Sequence, residues 1–217
     1  MAFFRDKTHY SRSDAMERAA KAAGRGRKKK AIEEYRKVLA NEPENAAVLT
    51  KVAVLLAETR RYPEAWKGFL AAAESWKKQG FVDRQYAVYR QAADYMPREP
   101  ELWETLARID LERGRAPDAV KVLLEGRKHF RKKKLRPFAV RLLRLATKIE
   151  PWHFEATFDL AALMRKEGDK REARRLLEGL VERARGRRLR RVRGALFSMS
   201  PTPAAAWRWT RAAVRGR

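Results

Sequence analysis

Apolar residues recur at the three-to-four residue spacing of an amphipathic helix along nearly the whole chain, and no stretch alternates convincingly at period two. The pattern predicts helices and no strands. Glycine, proline and short polar breaks fall at 24–26, 41–43, 60–63, 80, 97–100, 114–117, 132–134, 151 and 168, where the backbone constraints of Gly and Pro end helices. The intervals predict helices over 12–24, 28–41, 45–59, 62–79, 82–96, 99–113, 116–131, 135–149, 152–167 and 169–185, with two shorter ones over 187–198 and 203–214. Connections this short force consecutive helices to pack antiparallel.

The pattern also repeats at a longer period of 54 residues. At that offset Val52, Leu106 and Leu160 share a column, as do Ala53, Ala107 and Ala161. Further columns hold Leu55, Ile109 and Leu163; Ala65, Ala119 and Ala173; and Phe69, Leu123 and Leu177. Pro43, Pro97 and Pro151 close successive units. Small and apolar residues in fixed phase over a long period are the mark of a solenoid, in which each unit buries its apolar face against its neighbours. The alanine columns are read as close helix crossings, and Tyr35, Tyr89, Phe69 and Leu123 as filling between hairpins. Trp66, Trp76, Trp103 and Trp152 are read as core.

The segment from Ala31 through Tyr35 and Val38 to Pro43 resembles the second helix of a tetratricopeptide repeat: a small residue, an aromatic four later, an aliphatic three after that, and a closing proline. Gly80, Tyr89, Ala92 and Pro97 fit the same frame, as do Trp103, Leu106, Ala107, Gly114 and Ala119, and then Leu160, Ala161, Gly168 and Ala173. The resemblance, to the bacterial type of that family, covers about 12–185 and implies an all-α, right-handed α-solenoid of about 10–12 antiparallel helices that holds other proteins. The chain departs from the family by repeating every 54 residues, three helices at a time, instead of every 34. Helices 62–79 and 116–131 would each serve as the second helix of one repeat and the first of the next. The expected organisation is an amino-terminal arm (1–11), a repeat array (12–185) and a basic capping or amphipathic segment (186–217).

Composition narrows the picture. Apolar residues at 45 % suffice for a core despite 36 % charged residues. The absence of cysteine excludes disulfides and thiolate metal sites and suits a reducing compartment. The amino-terminal residues lack the apolar stretch of a signal peptide, and no run is long enough to span a bilayer. A cytoplasmic protein is expected, with a peripheral position at a membrane as the variant; the arginine and alanine content suits a GC-rich bacterial genome. The net charge of +25 is concentrated at the carboxyl end, where residues 154–217 carry seventeen basic against seven acidic side chains and none of the acidic ones follows Glu182. Such a field speaks for acidic partners.

Catalytic chemistry finds little foothold. His9, His129 and His153 have no partner at metal-binding spacing, the serines (11, 13, 75, 198 and 200) sit in no strand–turn–helix elbow, and Gly24–Lys30 lacks the phosphate-loop spacing. No enzyme, cofactor or metal is expected. Some tetratricopeptide domains hold carboxyl-terminal tails with a clamp of lysine, arginine and asparagine, but the matching positions here are Met16, Ala20, Thr50 and Val54. The expected function is a non-enzymatic scaffold or adaptor with a groove along helices 45–59, 99–113 and 152–167, offering Thr50, Glu104, Arg108 and Phe158 to an acidic protein.

Three basic clusters remain: 25–30, 127–136 and 183–193. The first two fall at helix junctions, where cations also satisfy the helix dipole. In the third, Leu189, Val192, Leu196 and Phe197 form a stripe that can cap the array, with Arg183, Arg185, Arg187, Arg188, Arg190, Arg191 and Arg193 around it. A last amphipathic segment carries Trp207, Arg208, Trp209, Arg211 and Arg215. These arginines and tryptophans are the candidate anion contacts. An end cap, an anionic membrane surface and a nucleic-acid site all suit the segment.

Overall fold

The computed structural model describes residues 11–201 and 203–214, and every described element is helical, with no strand among them. The helices fall into two compact units that divide at Pro97 and Arg98. The amino-terminal arm and Arg215 lie almost wholly outside the described residues.

The first unit contains α1 (Arg12–Gly24), α2 (Lys28–Asn41), α3 (Ala46–Glu58), α4 (Tyr62–Lys78) and α5 (Val82–Tyr95). Consecutive helices pack on one another, and α3 also touches α5 across α4. Ser11 starts α1 by accepting from the Asp14 N–H, and Asn45 starts α3 by accepting from that of Val48 at 3.1 Å, each satisfying an otherwise orphaned donor. The core is built from Ala15 and Ala19 of α1, Ile32, Tyr35 and Val38 of α2, Val52, Ala53 and Leu56 of α3, Ala65 and Phe69 of α4, and Tyr89 and Ala92 of α5. Small residues set the spacing. A Cβ placed on Gly68 would stand 3.0 Å from that of Ala53, so α3 and α4 approach as closely as their backbones allow.

The second unit contains α6 (Pro100–Glu112), α7 (Ala116–Gly126), α8 (Arg136–Ile149), α9 (Phe154–Lys166), α10 (Lys170–Arg183), α11 (Gly186–Met199) and α12 (Pro203–Val214). Here too each helix packs on the next, with α7 and α8 joined by two short 3-10 turns, Arg127–His129 and Lys133–Leu135. Leu102, Trp103, Leu106, Ala107, Leu123, Leu142 and Leu143 are fully buried. Towards the carboxyl end Leu177, Leu180 and Val192 form the last core cluster, with Leu189, Leu196 and Met199 against it.

Two turn types recur in both units. Helices α1, α3, α4, α6 and α9 end with a residue at positive φ: Gly26, Arg60, Gly80, Gly114 and Gly168. At each, its N–H bonds three residues back and the next N–H five back, as in Gly114 to Leu111 and Arg115 to Asp110, which satisfies carbonyls the helix leaves unpaired. Helices α2, α5 and α8 end instead at Glu42, Met96 and Glu150 in extended or nearly extended conformation, each N–H bonding four residues back. Arg60, Gly114 and Gly168 stand 54 residues apart, and so do Glu42, Met96 and Glu150.

Two expectations are corrected. The helix read as 116–131 stops at Gly126, where the backbone tightens into the 3-10 turn Arg127–His129; Phe130, 1 % exposed, then packs beside Phe138. Trp152 is not core. It sits in the turn before α9 at φ 69°, 40 % exposed, with Gly179 beneath its ring and the Arg183 guanidinium 4.4 Å from the ring centroid.

Candidate functional site

His9 lies outside the described residues, and the other candidate groups His129, His153, Ser75 and Ser198 are engaged in packing and hydrogen bonds. His129 stacks on Trp103, with ring centroids 5.5 Å apart, and the His153 Nδ1 accepts from the Ala156 N–H at the start of α9. Ser75 donates to the Glu44 carbonyl and Ser198 to that of Ala195. Among the described residues no cluster of three or more His, Asp or Glu could hold a metal, and no helix is long and apolar enough to cross a membrane.

The first unit holds an open groove of about 380 Å³ between α1, α2, α3 and α5. Its lining includes Ala20 from α1, Tyr35 from α2, Thr50, Lys51 and Val54 from α3, and Gln91 from α5. Successive turns of α3 bring Thr50, Lys51 and Val54 to the groove because residues three and four apart share a helix face. Thr50 spends its hydroxyl on the Ala46 carbonyl at 2.8 Å. Burial pushes the Tyr35 phenol up, so it remains a neutral hydrogen-bonding group. The Lys51 ammonium stands 5.7 Å from the Tyr35 ring centroid and brings positive charge to an otherwise mainly apolar lining. A second recess of about 570 Å³ opens beside the turn at 42–47, but its carboxylates are already matched, Glu42 with Arg12 at 2.8 Å and Glu44 with Lys78 at 2.7 Å.

Of the four positions expected to contact a partner, Thr50 alone lines this groove. Glu104 accepts from Arg141 of α8 at 2.5 Å, and Arg108 pairs with Glu112 one turn along its own helix. Phe158 stacks on Phe154 and lies under the Arg191 guanidinium, 4.6 Å from the ring centroid. Tyr35 and Gln91 were not anticipated as lining. Tyr35 carries the signal of a core aromatic, and Gln91 none that separates it from other surface positions.

The basic clusters divide in the same way. Lys28 pairs with Glu58 at 3.0 Å, Arg127 with Asp159, and Arg136 with Glu167 at 3.0 Å. Burial holds the Asp159 carboxyl above its usual range, against the pull of Arg127. In the third cluster Arg183 pairs with Glu182 and covers Trp152, and Arg185 donates to the Glu182 and Ala184 carbonyls. Arg188 covers Phe154, and Arg191 holds both oxygens of Glu155 at 3.0 and 3.3 Å. Arg193 donates to the Arg208 carbonyl at 3.0 Å, tying α12 to α11. Trp209 lies flat on Phe197, with centroids 6.0 Å apart, and Arg211 covers Trp207. Arg187, Arg190 and Arg208 are exposed.

Stacked antiparallel helices, alanine crossings and repeated turns define an all-α helical-repeat protein. No protein-family model and no curated protein matches the chain. Solved structures resembling it include a tetratricopeptide repeat protein from Parabacteroides merdae, 16 % identical, covering 94 % of this chain and 93 % of that one at a TM-score of 0.35. PilF of Pseudomonas aeruginosa is 12 % identical over 93 % and 88 % of the two chains, at a TM-score of 0.32. YrrB, a tetratricopeptide repeat protein described as having an unusual peptide-binding site, is 11 % identical over 91 % and 90 %, at 0.31. The likeness is one of helical-repeat fold, in keeping with the helices and turns of the chain itself.

Proposed function

We propose that the chain is a non-enzymatic scaffold that holds another protein by an apolar segment bearing at least one carboxylate, laid in the groove of the first unit. The observation that carries this reading is the groove itself: it is open, its walls from α1, α2, α3 and α5 are largely apolar, and its one charged lining residue among those described is Lys51. A concave apolar site with few polar groups is the usual form of a binding pocket. The net charge of +25 supports an acidic partner, since it accelerates encounter with one. The cysteine-free composition supports a reducing, cytoplasmic setting.

The test is site-specific photo-crosslinking in cells with the full chain. A crosslinking amino acid at Val54 should yield a discrete set of protein adducts, and Lys51→Glu should reduce them several-fold. The same adducts from the exposed position Lys121, or adducts indifferent to Lys51→Glu, would overturn the reading.

A further inference from the structure

We infer that the outer surface of α11 and α12 binds single-stranded nucleic acid, independently of the groove in the first unit. The argument begins with what the packing removes from the arginine cluster. Arg188 and Arg191 are held on the phenylalanines and Glu155 of α9, and Arg185 and Arg193 are held on backbone carbonyls. Arg187 and Arg190 of α11 have no hydrogen bond or ion pair with any described residue, and they share one face of the helix at i and i+3. On α12, Arg208 and Arg211 have the same spacing and are exposed. Arg193 binds the Arg208 carbonyl and Trp209 stacks on Phe197, so the two helices are fixed side by side. No acidic side chain occurs after Glu182, so nothing within these helices neutralises the four guanidinium groups.

The chemistry of the ligand follows from the tryptophans. Trp209 has one side of its ring on Phe197 and is 39 % exposed, while Trp207, 58 % exposed, is the more open of the two. Arg211 lies 4.9 Å from its ring centroid, and Ala204, Arg208 and Thr210 of the same helix are exposed. A helix lying in a membrane interface needs a continuous apolar face, and Trp207 has Thr210 and Arg211 at i+3 and i+4 on its own face of α12. One exposed ring beside guanidinium groups suits an unpaired base stacked over a phosphate-binding strip. Arginine is the fitting cation, because its planar fork binds phosphate oxygens in pairs and stacks on rings.

The measurement is fluorescence anisotropy of the full chain with a labelled oligo(dT) and oligo(U), each about 15 nucleotides long, a length within reach of one such site. Four phosphate contacts predict a slope of log affinity on log salt of about −3, or a loss of roughly fifty-fold between about 50 and 200 mM salt. Arg187→Gln with Arg190→Gln should reduce the slope by about 1.4. Trp207→Ala should weaken binding about tenfold and leave the slope unchanged, while Trp207→Phe retains most of the affinity. Val54→Asp should have no effect, so failure here and failure of the groove reading are told apart. Circular dichroism melts establish that each variant folds. The proposal is overturned if duplex of equal length or poly-glutamate binds as well as the single strand. It is also overturned if the three substitutions leave binding unchanged, or if vesicles of phosphatidylglycerol and phosphatidylcholine capture the chain while the oligonucleotides do not.

Discussion

Gly126→Ala and Gly179→Ala place the same methyl group against a tryptophan on two helices of the second unit, and the structure predicts opposite results. A Cβ on Gly126 would fall 2.5 Å from Trp103 Cδ2 and 2.9 Å from its Cβ. Carbon atoms prefer about 3.5–4.0 Å, so α6 and α7 must part by about 1 Å. Trp103 cannot move aside, because its Cβ is fixed to the α6 backbone, the side chain is 2 % exposed, and its ring is stacked on His129. Overpacking of this kind costs about 1–3 kcal/mol, of which alanine's better helix propensity recovers at most about 1 kcal/mol. The net loss is about 1–2 kcal/mol, and at about 2–4 °C per kcal/mol for a chain of this length the Tm should fall by about 2–8 °C. At Gly179 the nearest atoms are the far edge of the Trp152 ring, which is 40 % exposed and free to swing outward. Displacing it loses the Arg183 contact, about 0.5–1 kcal/mol, which the helix-propensity gain in mid-helix offsets. Gly179→Ala should therefore leave Tm unchanged within about 2 °C. Thermal melts followed by circular dichroism decide the matter. Equal losses at the two sites, or no loss at Gly126, would refute the steric account.

Arg60 occupies a positive-φ helix terminus where Gly26, Gly80, Gly114 and Gly168 stand in the equivalent turns; Arg60→Gly should relieve about 1 kcal/mol of backbone strain, read as a higher denaturant midpoint. Glu34, with its side chain 8 % exposed, accepts from Lys37 at 2.6 Å and Arg18 at 3.0 Å, and these bonds hold its carboxyl below the ordinary value. Its folded pKa lies below the unfolded one, so its contribution is present above about pH 4.3 and is lost as pH falls through the folded value. Glu34→Gln should lower stability near pH 7 and flatten the decline of Tm between about pH 5 and pH 3; an unchanged decline would refute the assignment.

Much of the fold was legible in the residues alone because helix periodicity and turn chemistry are local. The breaks at Gly26, Gly80, Gly114 and Gly168 need only a backbone that accepts positive φ. The columns through Ala53, Ala107, Ala161, Phe69 and Leu123 needed only the regularity with which neighbouring helices meet, and all five side chains are buried. What resisted reading depended on the phase of one helix against another. Trp103 and Trp152 look alike along the chain, yet one is packed over Gly126 and the other lies over Gly179 with its ring half in solvent. The change from α-helix to a 3-10 turn after Gly126 is likewise marked by no change in periodicity.

The candidate surfaces divide along the same line. Arg187, Arg188, Arg190 and Arg191, broken only by Leu189, form one basic cluster to the eye, since charge and helical propensity are properties of each residue. Glu155 stands 36 residues from Arg191, and only the packing of α11 into the last core cluster brings the two within 3.0 Å. That contact ties Arg191 down, while Arg187 and Arg190 of the same helix remain in solvent without such a partner among the described residues. The groove likewise joins Ala20, Tyr35, Thr50 and Gln91 from four helices. Composition and local pattern determined the helices, their ends and the sign of the field around them; which side chains meet, and which stay open to a partner, was decided by tertiary packing, because those distances depend on the relative rotation of helices far apart in the chain.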